Sequence, residues 1–212
     1  MNGDKIKGLY CVIDSAWVEL SAAGKTAEKL IRAGAGIIQL RAKNEGSKAV
    51  LEAAFGVRAA TRGKAIFIVN DRVDIALLSE ADGVHLGQDD IPLKDARELM
   101  PSAIIGLSTH NLEEAHEARF LGADYISFGP IFQTKTKKDA DTPKGLERLK
   151  ALADEVSLPI VAIGGITADT ALPVLEAGAA SVAIISDILL ADDMQGRTEE
   201  IISRIRPLLE KR

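Results

Sequence analysis

The chain has 212 residues, 47% of them hydrophobic, and a net charge of −5 from 26 basic and 31 acidic side chains. That supplies a sizeable core and excludes the global basic field that nucleic-acid binding usually needs. No apolar run is long enough to cross a bilayer, and the lone Cys11 allows no intrachain disulfide, so the expectation is a cytoplasmic protein without membrane association.

Short apolar runs that suit buried parallel strands recur at 9–13, 37–40, 66–69, 84–86, 104–107, 125–128, 160–163 and 182–185. Segments with helical spacing lie between them, at 26–33, 47–61, 92–100, 112–121, 143–154 and 168–177. Eight strands, each followed by a helix and with no linker, predict a single-domain (β/α)8 TIM barrel over residues 1–212 rather than an open doubly wound sheet. Gly34-Ala35-Gly36, Ala81-Asp82-Gly83, Gly122-Ala123-Asp124 and Gly178-Ala179-Ala180 precede strands two, four, six and eight, where glycine lets a helix end in the left-handed conformation. The charged segment 196–212 reads as a last helix covering the barrel.

In such a barrel the carboxyl ends of the strands surround one mouth. At strand two, Gln39, Arg41 and Lys43 share a face by strand alternation, while Ile38, Leu40 and Ala42 face the helices. Strands three and four end in Asn70-Asp71-Arg72 and Gly87-Gln88-Asp89-Asp90. Asp71 and Asp90 suit helix capping, and carboxylates from neighbouring mouth loops also suit Mg2+, which takes one or two of them and completes its shell with water and substrate phosphate. Strand five ends Ser108-Thr109-His110; His85 and His110 both stand near the mouth with roles left open, and His116 reads as part of a solvated helix face.

After strand six, Thr134 and Thr136 interleave with Lys135, Lys137 and Lys138, pairing hydroxyls with positive charge as a phosphorylated ligand requires. Gly164-Gly165 after strand seven and Ile185-Ser186 after strand eight occupy the usual phosphate position of such barrels. Two phosphate stations follow: a monophosphate site at Gly165, Ile185 and Ser186, and a metal and cation site at Asp71, Asp90, Arg41, Lys43 and Lys137. Two phosphorylated ligands are expected to meet between them.

Taken together, Gln39-Leu40-Arg41 with Lys43, Asn70-Asp71, the run 84–88 with Asp90, Gly106-Leu107-Ser108, the loop 129–138, Ile163-Gly164-Gly165-Ile166 and Ile185-Ser186 resemble the thiamin phosphate synthase family along nearly the whole chain. The resemblance implies that hydroxymethylpyrimidine diphosphate is joined to thiazole phosphate, giving thiamin phosphate and pyrophosphate. It implies that Gln39, Arg41, Lys43, Asn70, Ser108 and Lys137 hold the pyrimidine diphosphate, that Asp71 and Asp90 hold one Mg2+, and that Thr134, Thr136, Gly165, Ile185 and Ser186 hold the thiazole phosphate. Counting the binding stretches whole adds Leu40, Ala42 and Lys135.

The implied chemistry is a substitution in which diphosphate leaves from a methylene stabilised by the electron-rich pyrimidine. It needs neutralisation of the leaving group, for which Arg41, Lys43 and Lys137 are the catalytic candidates, and a loop over 131–141 that excludes water. Two alternatives stay open: a thiazole tautomerase of the same barrel type, which would not need the diphosphate station, and a non-catalytic thiazole phosphate binding protein. Oligomeric state is not legible.

Overall fold

The computed structural model describes residues 2–134 and 142–211. Eight parallel strands run β1 (Gly8–Asp14), β2 (Ile37–Arg41), β3 (Ile66–Asn70), β4 (Gly83–Leu86), β5 (Ile104–Thr109), β6 (Tyr125–Phe128), β7 (Ile160–Ile163) and β8 (Ser181–Ile184). They close into a barrel in chain order, β8 pairing with β1 through Gly8 opposite Ser181. The helices between and after them are α1 (Ala23–Arg32), α2 (Ser47–Thr61), α3 (Val73–Leu78), α4 (Leu93–Leu99), α5 (Leu112–Phe120), α6 (Gly145–Glu155), α7 (Ala171–Glu176), α8 (Ser186–Leu189) and α9 (Met194–Leu209). The expected (β/α)8 TIM barrel is the observed fold. No helix among the described residues is long and apolar enough to cross a membrane.

Strand alternation separates two apolar layers. Leu9, Cys11, Ile13, Ile38, Leu40, Phe67 and Val69 pack outward beneath the helices, whereas Tyr10, Val12, Ile37, Ile68, Ile104, Tyr125, Val161 and Ala183 fill the barrel interior. The interior is tight. Gly106 has to be glycine, because a Cβ there would lie 2.1 Å from the Tyr125 ring.

Helix starts differ from the sequence expectation where local side chains hold the entering turn. α7 begins at Ala171 instead of residue 168 because Thr167 N–H donates to Thr170 Oγ1 at 2.9 Å, fixing a turn ahead of the helix. The short α3 and α8 were not among the expected segments. Gly34 and Gly122 end α1 and α5 with φ of 100° and 86°, and Ala35 N–H to Leu30 C=O and Ala123 N–H to Ala118 C=O complete the closing turns. After α3 the left-handed residue is Glu80, at φ 54°, and not a glycine. Gly83 instead lies inside β4, where a Cβ would stand 2.0 Å from the Ile104 carbonyl oxygen, so the third-party role expected of it at the helix end belongs to Glu80.

Candidate active site

The carboxyl ends of all eight strands open into a cavity of about 410 Å³. Its floor carries a buried line of hydrogen bonds. Gln39 Nε2 donates to Tyr10 Oη at 2.8 Å, Tyr10 Oη and Tyr125 Oη are 3.0 Å apart, and His85 Nδ1 is 3.0 Å from Tyr125 Oη. His85 Nε2 continues to Ser108 Oγ at 3.0 Å, with Ser127 Oγ 3.3 Å away. The His85 and Tyr125 rings stack at 5.4 Å. Burial pushes the His85 pKa down to about 4, only partly opposed by the Asp90 carboxylate, and burial raises both tyrosine phenols above their ordinary value. His85 therefore sits in this line as a neutral imidazole.

One wall is charged. Arg41 Nη1 meets Asp14 Oδ2 at 2.6 Å, and Asp14 Oδ1 in turn accepts from Ala16 N–H at 2.9 Å, so the guanidinium is held from behind by a buried carboxylate. Lys43 Nζ meets Asp71 Oδ2 at 3.0 Å. Asp71 adopts φ 63°, a left-handed conformation uncommon for a residue with a side chain. Burial and then a hydrogen bond with Asp90 raise its pKa, while Lys43 pulls it back. Asp90 Oδ2 accepts from Gly87 N–H at 2.6 Å. Neither carboxylate caps a helix: the N-cap positions of α3 and α4 are Arg72 and Pro92, and neither helix has a side-chain cap.

Two carboxylates from adjacent loops thus act on each other, Asp90 helping to raise the pKa of Asp71, with Lys43 as the one ion-pair partner of Asp71 among the described residues. The like charges and the oxygen-only donor set suit a hard divalent cation that draws its remaining ligands from water and substrate. Asn70, also lining this wall, keeps Nδ2 buried with no partner among the described residues.

Opposite lies a turn of two successive left-handed glycines, Gly164 at φ 99° and Gly165 at φ 65°. A Cβ on Gly164 would meet Pro130 Cβ at 2.5 Å, and one on Gly165 would meet the Gln133 carbonyl oxygen at 2.4 Å. These glycines therefore seat the loop after β6 as well as baring their own backbone. Ile185 and Ser186 line the same side. Behind them Asp187 receives Arg197 from α9 through two bonds of 2.8 and 3.0 Å and accepts from Ala168 N–H at 3.0 Å, locking the ends of β7 and β8 to the last helix.

Of the expected site residues, Gln39, Arg41, Lys43, Asn70, Asp71, Asp90, Ser108, Thr134, Gly165, Ile185 and Ser186 all line the one cavity. Leu40 and Ala42 do not: their side chains pack in the outer layer, as strand alternation requires. Lys135, Thr136 and Lys137, and with them most of the expected covering loop, lie outside the described residues. Sequence reasoning missed Asp14, Tyr10, Tyr125 and Ser127, all of which line the cavity. The signal available was the same period of two that selected Gln39 and Arg41, hidden because Tyr10 and Tyr125 sit in runs that read as wholly apolar. His85 is engaged at both ring nitrogens, and His110 pairs with Glu114 at 2.8 Å.

Residues 9–188 match the family described as thiamine monophosphate synthase. The thiamine-phosphate synthase of Chloroflexus aurantiacus is 42% identical over 204 residues, which is 96% of this chain and 94% of that protein. The thiamine-phosphate synthase of Halalkalibacterium halodurans is 47% identical over 180 residues, 84% of this chain and 85% of its own length. The solved structure of thiamine phosphate pyrophosphorylase from Pyrococcus furiosus superposes with a TM-score of 0.88 at 37% identity, covering 99% of this chain and 100% of that one. A 3-hexulose-6-phosphate synthase, at 22% identity and a TM-score of 0.73, shares the fold alone.

Proposed function

This chain belongs to the thiamine monophosphate synthase family, and from that premise we propose how its mouth divides the work of making thiamin phosphate. The enzyme is a transferase that joins the methylene carbon of an aminopyrimidine diphosphate to the nitrogen of thiazole phosphate and releases pyrophosphate.

Arg41 and Lys43 take the diphosphate, with Asn70 and Ser108 as hydrogen-bonding partners and Gln39 turned toward the pyrimidine ring. Lys137 joins the cations and Thr136 the thiazole phosphate site on the strength of the family resemblance. Asp71 and Asp90 would hold Mg2+, which would supply positive charge to neutralise the departing diphosphate. Arg41 and Lys43 act in the same sense: charge on the leaving oxygens grows as the C–O bond breaks, so fixed cations stabilise the transition state more than the ground state. Gly165, Ile185, Ser186 and Thr134 hold the thiazole phosphate so that its nitrogen faces the methylene. Among the described residues the cavity floor offers no charged base to the reacting carbon, in keeping with a substitution that requires none. The proposed setting is the cytoplasm.

The observation that carries this reading is that the carboxylate and cation wall and the double-glycine turn face one cavity of about 410 Å³, a volume suited to two small ligands together. The test is incubation with both phosphorylated halves and Mg2+, following pyrophosphate and thiamin phosphate. Isomerisation of a thiazole phosphate without consumption of the diphosphate would instead identify a tautomerase.

A further inference from the structure

Two cations stand two residues apart at the end of β2, and their counter-ions differ. Lys43 pairs with Asp71, whose side chain is 21% exposed and belongs to the carboxylate pair that suits the metal. Arg41 pairs with Asp14, whose side chain is 3% exposed. Strand register sets this second pair, since Asp14 ends β1 directly opposite Arg41. Asp14 is itself anchored: Oδ1 accepts from Ala16 N–H at 2.9 Å, and the backbone carbonyl accepts from Trp17 and Val18 N–H at 2.9 and 3.0 Å.

Arg41 Nη1 donates to Asp14 Oδ2 at 2.6 Å, which among the described residues is the one hydrogen bond of that guanidinium. Nε and Nη2 are left for a ligand, and both residues line the cavity. A guanidinium can serve a carboxylate with one nitrogen and an anion with the others, whereas an ammonium is a point charge. Glu45, the other acid near Arg41, is engaged by Ser15 and by Asn44 N–H. Arg41 therefore offers directed donors with little net charge. A bare guanidinium would attract a bound diphosphate and a released pyrophosphate alike, and a carboxylate fixed behind it repels both. What remains is a directed edge, which favours one arrangement of leaving oxygens over general anion binding.

We propose that Asp14 is a positioning residue for Arg41, fixing its free edge toward the departing diphosphate and, by its own charge, keeping the pyrophosphate product from binding tightly. The proposal rests on the reading of Arg41 as a diphosphate ligand. Asp14 acts through Arg41 and takes no part in the bond that breaks.

The experiment uses the whole chain, with Mg2+ in constant excess and inorganic pyrophosphate as the probe. Calorimetry on Asp14→Asn is expected to show pyrophosphate bound about tenfold more tightly than by the wild type, because the fixed negative charge behind Arg41 is gone. Steady-state kinetics on the same variant should give a kcat lower by about tenfold, with the KM for the pyrimidine diphosphate unchanged or lower. A merely structural aspartate predicts the opposite sign, weaker pyrophosphate binding and a higher KM. Asp14→Ser removes the same charge with a smaller side chain and is expected to match, so a folding defect in one variant, read by circular dichroism, leaves the other. Pyrophosphate bound equally or less tightly by the folded Asp14 variants overturns the proposal. Arg41→Met that binds pyrophosphate as well as the wild type overturns the reading of Arg41 itself, and the proposal with it.

Discussion

Asp71 meets Lys43 at 3.0 Å from a backbone held at φ 63°. That conformation is unfavourable to a residue with a side chain, and burial first, with the nearby Asp90 carboxylate second, disfavours the charged form and raises its pKa.

Asp71→Asn is therefore expected to stabilise the metal-free protein, by up to about 1 kcal/mol, because asparagine tolerates the left-handed region and carries no charge. A carboxyl whose folded pKa is raised binds more protons folded than unfolded, so the wild type loses stability as pH rises through that pKa. The melting-temperature gap should widen from acid to neutral pH. The same variant should lose activity and regain part of it at high Mg2+. A variant both less stable and fully active would sink this account.

His85 titrates in the opposite sense. Its folded pKa of about 4 lies below the ordinary 6.5, so the unfolded chain binds the proton first and stability is lost as pH falls from about 6.5 to about 4, by at most about 3 kcal/mol. The groups facing it are Tyr125, Ser108 and Ser127, with Asp90 as the charge that opposes the shift. Urea midpoints across that range, compared with those of His85→Gln, should show a steeper fall in the wild type; parallel curves would count against it.

Arg197 holds Asp187 through two bonds, directly after Ser186. Arg197→Ala should cost about 2 kcal/mol in stability and raise the KM for thiazole phosphate several-fold, while the KM for the pyrimidine diphosphate stays within twofold. Equal changes in both constants would mean that the clamp supports the barrel as a whole and not this loop.

Glu80, at φ 54° with an exposed ion pair to Arg62, occupies a helix-ending position that glycine fills after α1 and α5. Glu80→Gly should raise stability by about 0.5 to 1 kcal/mol, since relief of the left-handed strain exceeds both the glycine entropy cost and a surface ion pair. A lower denaturation midpoint would refute it.

The barrel was legible because strand count and the intervening helices depend on apolar pattern, which burial enforces strongly. The charged wall was legible for a related reason: Gln39, Arg41 and Lys43 alternate with apolar neighbours in a strand whose outer face must be covered. The same alternation should have removed Leu40 and Ala42, whose side chains pack beneath the helices. Asp71 and Asp90 could be placed at the mouth but not told from helix caps, because capping depends on backbone angles that sequence does not carry; Asp71 at φ 63° points to Lys43 instead. Tyr10 and Tyr125 stayed hidden because a phenol deep in an apolar run reads as packing, and only the three-dimensional meeting of β1 and β6 pairs their hydroxyls. The glycine repeat was right about helix ends after α1 and α5 and wrong after α3, where Glu80 accepts the strain.

Pairing of Gly8 with Ser181 joins the first strand to the eighth across almost the whole described chain. During synthesis β1 must therefore wait, its outer row of backbone donors and acceptors open, until β8 has been made. An unpaired strand edge of this kind recruits other chains, and closure through so distant a contact is slow. The nascent barrel is consequently most exposed to misassembly just before its last strand arrives, an interval in which chaperone capture would act on β1 and not on the finished mouth.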